Sequence, residues 1–166
     1  MKTVLLVRHA KSSWDTGALS DFERPLNDRG KKDAPDMAQR LVAKKIPIDT
    51  FIASPAKRAK RTAQLFVKEF NVSEEDIIYK SELYHAPPEA FYELIDKLEE
   101  SQAHIAIFSH NPGITAFANT LTDDFELDNI PTCGVFAIKV EVEKWKDFKS
   151  AKKEFWFFDF PKHKTE

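Results

Sequence analysis

Three short stretches carry residues with reactive chemistry. Arg8 and His9 follow the apolar run Val4-Leu5-Leu6-Val7; Ser54 ends a second such run, with Arg58 about one helical turn later; and Ser109-His110-Asn111 follows a third run ending at Phe108. Two imidazoles and two guanidiniums at such positions suit one kind of ligand, a phosphoryl group. Arginine forks match phosphate oxygens, and backbone amides at helix starts add donors. A neutral imidazole, with an ordinary pKa of about 6.5 that nearby arginine charges lower further, can attack phosphorus without a base. Each residue also has a plainer reading, as a hydrogen-bonding histidine or a surface arginine, but that does not explain why all four gather at strand ends. A metal is not expected, because zinc sites ordinarily take three or four protein ligands and the arginines would repel a divalent cation.

The elements that must hold these residues alternate. Residues 3–7, 49–53, 76–79 and 104–108 read as short strands with both faces apolar, suited to a parallel sheet covered on each side. Between them lie helical stripes: Ala34, Met37, Ala38 and Leu41 in a helix over 33–45, whose start is complicated by Pro35; Ala59, Ala63, Phe66 and Phe70 after a Ser54-Pro55 cap; Phe91, Leu94, Ile95 and Leu98 after Pro87-Pro88; and Ile114 and Phe117 after Asn111-Pro112. Residues 135–142 alternate as a strand, and an aromatic strand over 154–160 precedes Pro161. The expectation is an α/β fold: a three-layer α/β/α sandwich with a mostly parallel sheet and an antiparallel strand near the C-terminus. Ligands of such sheets bind beyond the carboxyl ends of the strands, where the four residues lie.

Composition narrows the partner. Lys and Arg total 25 against 27 Asp and Glu, a net charge of −2, which argues against broad binding to nucleic acid or anionic membrane. Four glycines and nine prolines do not suit a linker-rich chain, and one domain over 1–166 is expected. The lone Cys133 fits a reducing compartment, and no apolar run approaches a signal core or membrane span, so a cytoplasmic location is expected. The last aromatic strand is expected to fill the core rather than pair with another chain.

With these residues in view, Arg8-His9-Ala10 resembles the RHG signature of the histidine phosphatase superfamily, whose fold is shared with phosphoglycerate mutases. The likeness runs through Lys11-Ser12-Ser13-Trp14, Arg24-Pro25-Leu26-Asn27-Asp28-Arg29-Gly30, Ser54-Pro55-Ala56-Lys57-Arg58-Ala59-Lys60-Arg61-Thr62-Ala63 and His110-Asn111-Pro112-Gly113, in the family's order from residue 3 to about 120. The ending, with Trp145 between two strands and Pro161 after the second, resembles the small SixA-like phosphohistidine phosphatases. The resemblance implies that His9 accepts the phosphoryl group while Arg8, Arg58 and His110 complete the pocket, with no cofactor. It also makes Arg24 a pocket residue, the alternative being an exposed loop charge. Ser12 either donates to a phosphate oxygen or caps a local turn, Trp14 and Tyr84 either shape the rim or, as preferred, pack, and Asn111 joins the binding set through the start of its helix.

Two departures bear on the substrate. Ala10 stands for the signature glycine, which implies that a positive φ is not required there. Lys11 stands where the mutases carry glutamate, and the stretch between Tyr79 and His104 leaves little room for a capping insertion. An open pocket suits a phosphorylated side chain on a protein, and an imidazole leaving group needs less acid assistance than an alkoxide. The expected activity is a metal-independent phosphatase with a phosphohistidine intermediate acting on protein phosphohistidine. A small-molecule phosphomonoesterase, or a binding module without turnover, is the alternative. Glu82 and Glu89 lie where larger relatives carry an acid but read as surface carboxylates.

Overall fold

The computed structural model describes residues 1–15, 17, 20–124 and 126–163. A six-stranded sheet is its spine, formed by β1 (Lys2–Arg8), β2 (Thr50–Ala53), β3 (Ile78–Tyr79), β4 (His104–Ser109), β5 (Val135–Val140) and β6 (Lys153–Asp159), in the order β3-β2-β4-β1-β5-β6. The first four in sequence are mutually parallel, β5 runs antiparallel to β1, and β6 antiparallel to β5. The expected α/β fold is therefore observed, with β5 as the reversed strand.

Strand alternation divides the core between the two faces. On one, Val4, Leu6, Ile105 and Ile107 pack with Phe91 and Ile95 of α3 (Pro88–Asp96) and with Ile114 and Phe117 of α4 (Gly113–Leu121). On the other, Leu5, Val7, Ala106 and Phe108 meet Met37 and Leu41 of α1 (Asp28–Ala43) and Ala63 and Phe66 of α2 (Lys57–Glu69). Because both faces of β1 and β4 are covered, their runs are apolar throughout rather than alternating.

Several boundaries differ from the expectation. Helix α1 starts at Asp28 rather than 33, because the Asn27 side chain accepts the Gly30 amide and the helix then runs through Pro35. The cost of an interior proline, through the lost hydrogen bond and the clash of its ring with the preceding turn, is roughly 3 kcal/mol. It is offset by the buried Ala34, Met37, Ala38 and Leu41, and Lys31, whose carbonyl loses its donor, is exposed to water. Helix α2 starts at Lys57, so Ser54 is not its cap and Pro55 lies outside its first turn. Strand β3 is shortened to two residues because a 3-10 turn over Glu74–Asp76 takes the start of the expected span.

The aromatic strand β6 is an edge strand, half-buried rather than core. The register shifts between Ala137 and Ile138, whose partners are Phe157 and Phe155, leaving Trp156 as the extra residue of a bulge. Trp156 and Phe157 consequently pack on the same face, while Phe155 and Phe158 pack on the other.

Candidate active site

The carboxyl ends of β1, β2 and β4 open into a cleft of about 550 Å³. Arg8, His9, Ser12, Trp14, Arg24, Arg58, His110 and Asn111, all expected from the sequence, line it. Tyr84 does not, but its ring lies edge-on to His110 at 5.5 Å.

His9 sits just beyond β1, held by its backbone amide on the Ser109 carbonyl and by the Cys133 amide on its own carbonyl. Its Nδ1 lies 2.7 Å from the Ala10 carbonyl oxygen. A carbonyl can only accept, so Nδ1 carries the proton and Nε2 of the neutral ring keeps its lone pair. Burial, together with the charges of Arg58, Arg8 and Arg24, pushes the pKa down to about 3 against the pull of the Ala10 hydrogen bond. The ring is thus uncharged at neutral pH, with one nitrogen available as a nucleophile. Thr62 of α2 ties this turn to the helix: its hydroxyl accepts the Ala10 amide and donates to the Arg58 carbonyl. Ala10 does not have a positive φ, in keeping with alanine at that position.

His110 follows β4 with its ring centroid 5.2 Å from that of His9. Its Nε2 meets the Ser54 hydroxyl, which also accepts the Ala56 amide. Burial and the neighbouring His9 and Arg58 charges lower its pKa to about 3. Gly113 lets α4 begin close behind it, since a Cβ there would stand 1.9 Å from the Ala86 carbonyl oxygen. The Asn111 side chain is committed to Asn129, Ile130 and Thr115, and Ile130 in turn accepts from Arg8. Asn111 therefore anchors the loop that holds an arginine.

Arg8, Arg58 and Arg24 bring three buried or half-buried guanidiniums to the cleft. Burial and Arg58's charge lower the pKa of Arg8. Arg8 Nε, Arg58 Nε and His110 Nδ1 are buried without a hydrogen-bond partner, three of the four such side-chain atoms among the described residues. Buried donors are rarely left unpaired, and their concentration beside an unprotonated imidazole nitrogen is what an oxyanion would satisfy. Arg24 is buried, donates to the Ser12 hydroxyl and lies with its guanidinium carbon 3.5 Å from the centroid of the Trp14 ring. Ser12 thus acts as an acceptor for Arg24 rather than as a turn cap, and Trp14, 81% exposed, is a rim residue rather than a packing one.

Asp21 is the residue that sequence reasoning missed. Its carboxylate accepts from Arg24 Nε, Arg58 Nη2 and the Tyr84 hydroxyl, at 3.1, 3.1 and 2.6 Å, and its carbonyl accepts from Arg58 Nη1 at 2.7 Å. The Tyr84 hydrogen bond, then those and the charge of Arg58 and Arg24, hold its pKa down to about 2. Spacing to Arg24 hinted at an i,i+3 pair, but no local pattern joins Asp21 to Arg58, 37 residues away. Lys11, His85 and Thr132 also line the cleft. Glu82 and Glu89 do not: Asp21 is the one carboxylate among the described lining residues, and Glu89 borders a separate hollow beside Trp145.

Comparison with known proteins bears on the family and the fold. Residues 4–84 match the family model of the histidine phosphatase superfamily (branch 1). An uncharacterized protein of Mycobacterium tuberculosis is 28% identical over 150 residues, covering 85% of this chain and 90% of its own length. A probable phosphatase of Schizosaccharomyces pombe is 36% identical over 67 residues, 39% of this chain and 31% of its own. SixA from Agrobacterium tumefaciens superposes with a TM-score of 0.79 at 25% identity, over 96% of this chain and 98% of that one. The protein histidine phosphatase SixA complexed with tungstate has the same fold, with a TM-score of 0.81 at 21% identity over 96% and 97% of the two chains. Through the Arg8-His9 and Arg58 segments the chain is similar to the histidine phosphatase superfamily, and it has the SixA fold along nearly its whole length.

Proposed function

We propose that this protein is a phosphatase that removes phosphoryl groups from phosphohistidine on a partner protein, through a phosphohistidine intermediate on His9 and without a metal. His9 Nε2 attacks phosphorus, and the bond from phosphorus to the substrate imidazole breaks, its electron pair returning to the departing nitrogen. With its other nitrogen protonated, that imidazole leaves neutral. Water then attacks the phosphoryl group on His9, releasing inorganic phosphate and restoring the neutral ring. Arg8, Arg58 and Arg24 hold the phosphoryl oxygens and offset charge in the transition state, with His110 as a further donor. Ser12 and Asn111 keep Arg24 and the Arg8 loop in place.

The observation that carries the substrate class is the state of Asp21. The cleft's one described carboxylate is ionised and tied to two arginines, so it has no proton to give an alkoxide. An imidazole, with a pKa of about 6.5, does not need one. SixA, named as a protein histidine phosphatase and found with the oxyanion tungstate, supports the same reading.

Turnover of phosphohistidine, p-nitrophenyl phosphate and sugar phosphates by one preparation tests it. Phosphohistidine is expected to be preferred, with an acid-labile, base-stable phosphoenzyme that His9→Ala abolishes and activity that chelators leave intact. A sugar phosphate preferred by orders of magnitude, or undiminished turnover in His9→Ala, refutes the proposal.

A further inference from the structure

Beside the cleft lies a second depression, of about 520 Å³, separated from it by the Asp21–Glu23 turn and the start of α2. The two share walls but not residues. Asp21 and Arg24 face the cleft, while Phe22, Glu23 and Pro25 face the groove; Arg58 faces the cleft, while Lys57, Lys60 and Arg61 face the groove. Leu26, Pro25 and Pro55 supply an apolar floor, and Phe22, 38% exposed, stands at its edge against Tyr84.

The charge of this groove departs from that of the molecule. Lys31, Lys57, Lys60 and Arg61 line it against the single carboxylate of Glu23, in a chain whose net charge is −2. All four cations are exposed, and none pairs with a carboxylate among the described residues. Three of them sit in the first two turns of α2, where the helix dipole disfavours positive charge. Lys60 lies over the Tyr79 ring and Arg61 donates to Gln64, but neither contact neutralises a charge, whereas an anionic partner would.

We infer that this groove receives an acidic segment bearing an apolar side chain, on the same protein whose phosphorylated residue enters the cleft. The inference rests on the proposed phosphoprotein substrate. A protein that inserts one side chain past the Asp21–Glu23 turn lays neighbouring residues on that turn's other flank. Its carboxylates meet Lys57, Lys60 and Arg61, which steer association and set orientation, while an apolar side chain covers the floor beside Phe22. The groove thereby selects among phosphoproteins without taking part in the chemistry.

The test uses the triple variant Lys57→Gln/Lys60→Gln/Arg61→Gln and three probes: free phosphohistidine, a phosphohistidine peptide flanked by Glu and Leu, and one of equal length flanked by Lys and Ser. Wild type is expected to favour the acidic peptide through KM. The variant is expected to raise that KM about tenfold or more with kcat unchanged, and to leave free phosphohistidine unaffected. Fluorescence anisotropy of the unphosphorylated acidic peptide gives a readout independent of turnover, and the variant is expected to weaken it by the same factor. An enzyme that ignores phosphohistidine yet shows this binding loss would sink the proposed substrate and keep the groove. An unchanged peptide KM and anisotropy in the variant overturns the groove proposal. So does a preference for the basic peptide, or charge-dependent sedimentation with phosphatidylglycerol vesicles without any effect on peptide binding.

Discussion

Acidification should destabilise this protein through its two site histidines. His9 and His110 have ordinary pKa values of 6.5 and are held near 3 in the folded chain, chiefly by burial. Above about pH 7.5 each ring is essentially neutral in both states, so almost no stability is lost there. As pH falls below that value the unfolded chain takes up a proton that the folded chain refuses until near pH 3. Between about pH 7.5 and pH 5 this costs about 2 kcal/mol per ring, or about 4 kcal/mol together, against a typical stability of about 5–15 kcal/mol. Asp21, with a pKa lowered from 3.8 to about 2, adds its own loss only at more acid pH, so the upper window isolates the histidines. Urea unfolding followed by tryptophan fluorescence at several pH values measures the effect. His9→Asn and His110→Asn should each remove about half of the acid-dependent loss. If both variants lose stability with falling pH as steeply as wild type, the account of two neutral buried rings is wrong.

Other perturbations address the supports of the site. Asp21→Asn keeps one acceptor oxygen, replaces the other with an amide donor and removes the competing charge, which frees at least one guanidinium, so inorganic phosphate should inhibit more tightly, by about fivefold to tenfold; weaker inhibition would count against this. Thr62→Val leaves the Ala10 amide buried without an acceptor, which should cost about 1–3 kcal/mol in chemical denaturation and slow phosphoenzyme formation, with Thr62→Ser restoring both. Gly30→Ala would put a Cβ 2.1 Å from the Lys11 carbonyl oxygen, and thermal unfolding should report a loss of roughly 1–3 kcal/mol. Glu82→Gln and Glu89→Gln should leave phosphohistidine turnover and its pH profile unchanged, because neither side chain lines the cleft.

Much of the molecule was legible locally. Strand ends placed Arg8, His9, Arg58 and His110 together because a parallel sheet brings the carboxyl ends of its strands to one edge, and that is where the cleft opens. Apolar stripes identified the faces of α1 to α4 because burial on a 3.6-residue period leaves its mark in the sequence. Helix starts were less legible, since Ser54 has the chemistry of a cap but is drawn instead to His110, 56 residues away.

The sequence by itself determined the reactive groups and the edge at which they meet, because residue type and hydrophobic period are local properties. Tertiary structure decided what those groups can do. It placed the Ala10 carbonyl to set the proton on His9, Thr62 to tie that turn to α2, and Asp21 to neutralise two arginines and withhold a proton from the site. Charge state and proton position depend on burial and on partners distant in the chain, and these exist only once the sheet and its helices have closed.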